Sequence, residues 1–324
     1  MSKTLVIQPL PGIGDMVWHL PHLKAIAAQA PGGTIAVLTK RRSLADQLFD
    51  GIDWVSDVHW LERAQGGEPA GRHDGLFGVT RLARDLRRLR VETVWILHHS
   101  WRYAAAARLA GITSRIGYRE LPTQSRRLHQ AEKATELLRV HGLTVNPTPR
   151  YTPTDRARTE SGRLYGDLPR PWLVLGIGAS ETFKLWPEER FAALARAYRD
   201  RTRGTVILAG GPDDKGPAER IMVGTKGAAV LALGRPLGQA AALAGMADAV
   251  VGNDSGLLNL AAATGTRCVG LFGGSEPLTL YPNLEALEPE HGAVYRENRM
   301  DGIEVEAVMQ ALSRALATSP SPGV

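Results

Sequence analysis

Short apolar runs alternate along the chain with stretches in which apolar residues recur every three or four positions. The first pattern reads as strands buried on both faces, the second as helices with one buried stripe. Thr4–Leu10 predicts a strand, followed by a Gly/Pro loop and a helix from Met16 to Gln29. Ile35–Leu38 predicts a strand and Ser43–Phe49 a short helix. Leu76–Arg90 predicts a helix with Leu82, Leu86 and Leu89 on one face. Thr93–Leu97 then reads as a strand, with Trp101–Ala110 and His129–His141 as helices.

Between Thr144 and Pro171 the rhythm stops. Pro147, Pro149, Pro153, Pro169 and Pro171 fall in a polar stretch that reads as a connection, with room for a helix near Arg156–Tyr165. Strands are then predicted at Trp172–Ile177, Thr205–Ala209, Ala249–Gly252 and Cys268–Phe272. Helices are predicted at Pro187–Arg201, Lys215–Gly224, Pro236–Gly245, Gly256–Thr264 and Ile303–Ala317. This is the βαβ rhythm of a doubly wound α/β fold, written twice. The expected domains are residues 1–150 and 171–302, with a linker at 151–170 and a closing helix at 303–318. The tail TSPSPGV reads as disordered. Two such halves place a ligand cleft between them, at the carboxyl ends of the strands.

Composition narrows the classes. The 324 residues are 44% hydrophobic and 22% charged, which fits two globular domains. One cysteine, Cys268, excludes an internal disulfide framework and a cysteine-cluster zinc site, and fits a reducing cytosol. No apolar run reaches the roughly 18–20 residues of a bilayer span. The start MSKTLVIQPLPGIGD, broken by Pro9, Pro11 and Gly12, does not read as a signal peptide. Residues 1–150 hold 21 Lys+Arg against 13 Asp+Glu, whereas residues 151–324 hold 18 against 20. A basic half attracts phosphates, acidic sugars or an anionic membrane surface. With 6% aromatic residues and no recognition motif, nucleic acid is not expected as a partner.

Three strand-to-helix loops carry candidate chemistry. Pro11-Gly12-Ile13-Gly14-Asp15 brings backbone close to a partner at a helix start. It is not a dinucleotide fingerprint: Val17 stands at the third glycine position, and the second strand runs into Thr39, Lys40 and Arg41 without an acid. Asp15 reads either as the N-cap of the helix or as a carboxylate base facing the cleft. The loop from Gly178 to Pro187 sets Lys184 beside a helix whose N1 position suits Pro187, where a cation meets a phosphate or is merely solvated. In Gly252-Asn253-Asp254-Ser255-Gly256, Asp254 or Ser255 caps a helix, and the N–H groups of Ser255 and Gly256 can seat a diphosphate.

Weaker candidates surround these. Asp213 and Asp214 follow a strand and can accept from ribose hydroxyls, and Phe272–Pro277 ends the last predicted strand. His19 and His22 lack a third ligand at metal spacing, so no metal site is expected. Cys268 reads as buried and inert, and His98-His99 either as cleft-lining or as incidental at a strand end. Arg81, Arg84, Arg87, Arg88 and Arg90 form a solvated helix face. Arg115, Arg119, Arg126 and Arg127, in loop-like sequence, suit an anionic substrate better.

Taken in order, GxGD, GAS…K.WP, GGP.D, NDSGLLNLAAATGT and LFGG..P resemble the family 9 glycosyltransferases, the bacterial heptosyltransferases of the lipopolysaccharide inner core, over about residues 4–282. The resemblance implies a GT-B fold of two Rossmann-like domains facing across a cleft, with the C-terminal helix packing back toward the first. The first domain would bind the acceptor through Gly12, Gly14, Arg119, Arg126 and Arg127. The second would bind a nucleotide-sugar, typically ADP-linked, through Gly178, Ser180, Asp213 or Asp214, Asp254, Ser255, Gly256 and Asn259. Asp15 falls on the family's base and Lys184 on its phosphate-binding lysine. Transfer would invert the anomeric carbon and need no metal or cofactor. The acceptor would be an anionic glycolipid, and the enzyme cytoplasmic or peripheral on the cytoplasmic face of the inner membrane. Asn259 stands where the family has histidine, Gly176-Ile177 where it often has His-Pro, and Ser255 where it has threonine. Two rival expectations are a related enzyme such as a nucleotide-sugar 2-epimerase, and a catalytically silent nucleotide- or anion-binding protein.

Overall fold

The computed structural model describes residues 3–64, 69–277 and 280–317. It divides into two units, Met1–Pro149 and Arg150–Val324. The tail TSPSPGV lies outside the described residues.

In the first unit the chain runs β1 (Lys3–Ile7), α1 (Ile13–Gln29), β2 (Ile35–Thr39), α2 (Ala45–Leu48), β3 (Val55–Trp60), α3 (Gly78–Leu89), β4 (Val91–Ile96), α4 (Trp101–Ala110), β5 (Ser114–Gly117) and α5 (Gln130–Val140). The strands form one parallel sheet in the order β3-β2-β1-β4-β5. Leu5, Val6 and Ile7 of β1 align with Ala36, Val37 and Leu38 on one side and Val94, Trp95 and Ile96 on the other. These strands are buried because helices cover both faces, so they carry no polar alternation. On α3, Leu82 and Leu86 face the core as the spacing requires, and the arginines between them face out.

In the second unit the chain runs α6 (Asp155–Tyr165), β6 (Trp172–Gly176), α7 (Glu188–Thr202), β7 (Thr205–Gly210), α8 (Lys215–Thr225), β8 (Ala229–Leu233), α9 (Leu237–Met246), β9 (Ala249–Asn253), α10 (Gly256–Ala263), β10 (Cys268–Leu271), β11 (Leu284–Leu287) and α11 (Val305–Ala317). Its parallel sheet has the order β11-β10-β9-β6-β7-β8. Both sheets have the doubly wound order, and the strand sequence reverses between β1 and β4 in one and between β6 and β9 in the other. At those two points the loops leaving neighbouring strands diverge to opposite faces and leave a crevice at the carboxyl edge.

The structure adds to the expected elements at three points. The helix expected near Arg156–Tyr165 is α6; it packs on α9, Ser161 Oγ donates to the Gln239 carbonyl at 3.0 Å, and the stretch groups with the second unit. The closing helix α11 buries Val308, Met309, Ala311 and Leu312 in the second unit's core, beside residues of α7. Four strands, β3, β5, β8 and β11, were not predicted from the hydrophobic pattern, and all four are sheet edges.

Candidate functional site

In the second unit, the loops after β6 and β9 flank the reversal point and bring Lys184 and Asp254 together. Lys184 Nζ lies 2.5 Å from Asp254 Oδ2, and Ser275 Oγ, on the loop after β10, donates to the same oxygen at 2.6 Å. Lys184 is therefore a half-buried, ion-paired cation rather than a solvated surface lysine. Ser255 is the N-cap of α10 and accepts from the Leu258 N–H at 3.3 Å, which leaves the first N–H groups of the helix directed out of its end. Pro187 is the N-cap of α7 and not its N1 residue.

Asn253 holds this arrangement from below. Its Nδ2 donates to the Ile177 carbonyl at 2.8 Å, and its Oδ1 accepts from the Trp186 N–H at 3.0 Å, both in fully buried surroundings. One amide thus pins both ends of the loop that carries Lys184. Asn253→Ala leaves two buried backbone groups without partners, each costing about 1–3 kcal/mol. A loss of about 3 kcal/mol in urea unfolding is expected, and an unchanged midpoint would show that the loop is held otherwise.

Asp214, after β7, accepts from the Gly211 N–H at 2.7 Å. Burial pushes its carboxyl pKa above the usual value, with the Gly211 N–H opposing. Its carboxylate lies against the backbone of Gly178 and Gly210: a Cβ at Gly178 would meet Asp214 Oδ2 at 2.2 Å and one at Gly210 would meet it at 2.6 Å. The two glycines therefore have a packing reason for their identity. Asp213 and Ser180 are exposed. Asn259 is 4% exposed, and its Nδ2 donates to the Ser255 carbonyl at 2.9 Å. That bond lies within the first turn of α10.

In the first unit, Asp15 stands at N3 of α1, not at the N-cap, which is Gly12. The Gly12 N–H donates to Asp15 Oδ2 at 2.9 Å, and a Cβ on Gly12 would sit 2.8 Å from that oxygen. Gly14 is buried in the same turn. His19 Nδ1 bonds the Asp15 carbonyl at 2.6 Å, and His22 Nε2 pairs with Thr135 Oγ1 at 2.8 Å. Both rings are fully buried, and burial lowers the His19 pKa to about 4 and the His22 pKa to about 3. The unfolded chain binds those protons near the ordinary pKa of 6.5, so this stability is complete above 6.5 and lost as pH falls toward about 4. His19 alone is expected to remove about 2 kcal/mol between about pH 7 and about pH 5. Denaturant unfolding at the two pH values checks this, and a His19→Gln variant should show a flatter dependence.

The basic residues converge near these histidines. His99 Nε2 is buried and has no hydrogen-bond partner among the described residues. Burial lowers the His99 pKa, helped by the positive field of Lys133, Arg126 and Arg119. Lys133, on α5, is 5% exposed, and its ammonium has no hydrogen-bond or ion-pair partner among the described residues. Its pKa is lowered by burial, with Glu132 opposing. The His99 and Tyr118 rings lie 5.4 Å apart, and Tyr118 Oη is 3.4 Å from His19 Nε2, so the cluster connects through His19 to Asp15. A little-exposed lysine beside an unsatisfied ring nitrogen suits an anion that meets both. Arg119, Arg126 and Arg127 are exposed around this point, whereas Arg115 is bonded to the Ile112 and Thr113 carbonyls.

Sequence reasoning missed Lys133 and the role of Asn253, and reached Ser275 only as part of the segment Phe272–Pro277. No three His, Cys, Asp or Glu side chains form a metal-holding group among the described residues. Cys268 is buried, and burial raises its thiol pKa well above the ordinary value.

The family described as Glycosyltransferase family 9 (heptosyltransferase) matches residues 79–288. No curated protein matches the sequence. Among solved structures, the chain is similar to ADP-heptose LPS heptosyltransferase II of E. coli at 22% identity, with a TM-score of 0.75 and coverage of 97% of this chain and 98% of that one. It is similar to a glycosyltransferase family 9 protein of Veillonella parvula at 19% identity, TM-score 0.78, covering 98% of both chains. A third likeness is to E. coli heptosyltransferase WaaC with ADP-2-deoxy-2-fluoro heptose, at 17% identity and TM-score 0.64, covering 96% and 99%.

Proposed function

The chain belongs to glycosyltransferase family 9, and we propose that it moves a heptose or related sugar from an ADP-linked nucleotide-sugar to an anionic glycolipid acceptor of the lipopolysaccharide core type. Transfer proceeds with inversion and without a metal. The observation that carries this reading is the Lys184–Asp254–Ser275 cluster beside the start of α10. It supplies a fixed cation and free helix N–H groups for a departing diphosphate.

Asp15 takes the proton of the acceptor hydroxyl. The freed oxygen pair attacks the anomeric carbon, and the bond from that carbon to the diphosphate oxygen breaks. Its electron pair leaves on the diphosphate, where Lys184 and the N–H groups of Ser255 and Gly256 balance the new charge. A single displacement of this kind inverts the centre. Asp254 and Ser275 keep the Lys184 ammonium in place. Asp214 accepts from the ribose. Lys133, His99, Arg119 and Arg126 hold a phosphate or carboxylate of the acceptor, with Arg127 at the rim. Asn259 gives the donor no positive charge, which favours a donor preference shifted from that of relatives with histidine there.

The test is transfer from ADP-heptose and a panel of other nucleotide-sugars to a phosphorylated core acceptor, followed by mass spectrometry, with and without EDTA. An inverted, acceptor-linked product that forms equally under chelation is expected. Donor epimerisation without acceptor, binding without turnover, or loss under EDTA with rescue by a divalent ion would each overturn the reading.

A further inference from the structure

Three large apolar side chains stand out on the first unit: Leu76, Phe77 and Trp101 are 94%, 68% and 58% exposed. They lie on adjoining elements. Leu76 and Phe77 immediately precede α3, and Trp101 is the first residue of α4, which packs along α3. The residue after Trp101 closes the gap: Arg102 Nη2 donates to the His73 carbonyl at 3.2 Å and to the Gly75 carbonyl at 3.1 Å. The turn is also tight, since a Cβ on Gly78 would meet the His73 carbonyl oxygen at 2.1 Å and Arg102 Nη2 at 2.8 Å. The apolar groups are thus presented by a braced turn.

Charge surrounds them unevenly. Residues 72–127 hold 12 Lys+Arg and 4 Asp+Glu. Of the four acids, Asp74 pairs with Arg63, Asp85 with Arg72 and His73, and Glu120 with His141. Arg81 and Arg84 are exposed on the first turns of the adjoining helix, whereas Arg87 and Arg88 lie in its last turn, bonded to the Leu109 carbonyl and to Asp85. Both helix starts lie at the carboxyl edge of the parallel sheet, the same edge that carries Asp15 and His99.

We propose that Leu76, Phe77 and Trp101, with the exposed Arg81 and Arg84 on the first turns of α3, dock this unit on an anionic phospholipid bilayer. The inference deepens the reading of the acceptor as a glycolipid and rests on it for its purpose. Two aromatic side chains and one aliphatic, beside exposed arginines, match the interfacial zone of a membrane, where apolar groups enter and arginines meet phosphates. Val223, 83% exposed on α8 of the second unit, has cationic neighbours in Arg220 and Lys226 but no second large exposed apolar side chain on its helix, and so serves as the comparison.

Flotation of the full-length protein with vesicles tests this without any catalytic readout. Wild type should partition onto vesicles of phosphatidylcholine mixed with phosphatidylglycerol, weakly onto phosphatidylcholine alone, and less as salt rises. The combined variant Leu76→Ser, Phe77→Ser, Trp101→Ser should bind at least about tenfold less, with an unchanged melting temperature and unchanged transfer to a water-soluble acceptor fragment. Val223→Ser should bind as wild type. Absence of wild-type binding to anionic vesicles overturns the proposal, as does equal binding by the triple variant. Wild-type self-association that the triple variant abolishes, without vesicle binding, would assign the face to a second copy of the chain instead. Vesicle binding that persists while transfer fails would leave the docking face standing and remove the glycosyltransferase mechanism.

Discussion

Asp15→Asn is expected to lower transfer by about 10²–10⁴-fold while leaving nucleotide-sugar binding close to wild type. The substitution removes the basic oxygen but keeps a carbonyl oxygen where Oδ2 accepts from the Gly12 N–H. The helix start therefore stays capped, and the loss of a carboxylate in the first turn of α1 costs under about 1 kcal/mol. Asp15→Ala removes both functions and serves as the contrast: its rate should fall like that of the Asn variant, and its unfolding midpoint should fall further. Single-turnover rates with saturating donor, alongside calorimetric donor binding, separate the two effects. Near-wild-type turnover in Asp15→Asn would return Asp15 to a purely structural role.

Lys184→Ala should cost about 10²–10³-fold in kcat/KM, with more of the loss in kcat than in donor affinity, because the diphosphate gains charge as its bond to the sugar breaks. The same change strips Asp254, 9% exposed, of its cation and leaves it with the Ser275 hydroxyl. Part of the defect would then be instability. A double variant, Lys184→Ala with Asp254→Asn, resolves this. The neutral amide no longer needs a cation, so the unfolding midpoint should recover while the rate stays low. Recovery of the rate would mean that Lys184 only neutralises Asp254, and the leaving-group assignment would fall.

The sequence was most legible where burial is two-sided. The strands β1, β2, β4, β6, β7, β9 and β10 are nearly pure apolar runs because helices cover both faces of the sheet. The four unpredicted strands share the opposite circumstance. An edge strand has one neighbour and partial cover, so VSDVHW, SRIG, AVLAL and LEAL mix exposed and buried positions without clean alternation. The chemistry followed the same logic. Asp15, Lys184 and Ser255 stand at helix starts marked by glycine, proline and capping residues. Asn253, Ser275 and Lys133 carry no local mark. Asn253 is the last residue of a strand, Ser275 meets Asp254 across 21 positions, and Lys133 lies on the buried side of a helix with ordinary polarity. Only the tertiary fold shows that they face a partner or lack one.

The chain passes from one unit to the other once, between Pro149 and Arg150. Each core is consequently drawn from one uninterrupted stretch. Parallel sheets form slowly, because strand neighbours must wait for a whole crossover to be made. Here the two sheets also offer interchangeable apolar strands, and a chain released all at once has many ways to pair β1 with a partner of β6. Synthesis from the N-terminus removes much of that competition. Every strand of the first sheet has left the ribosome before β6 is made, so the first unit can close before its rival strands exist. Refolding from denaturant has no such order, and it is there that mispairing and aggregation should show.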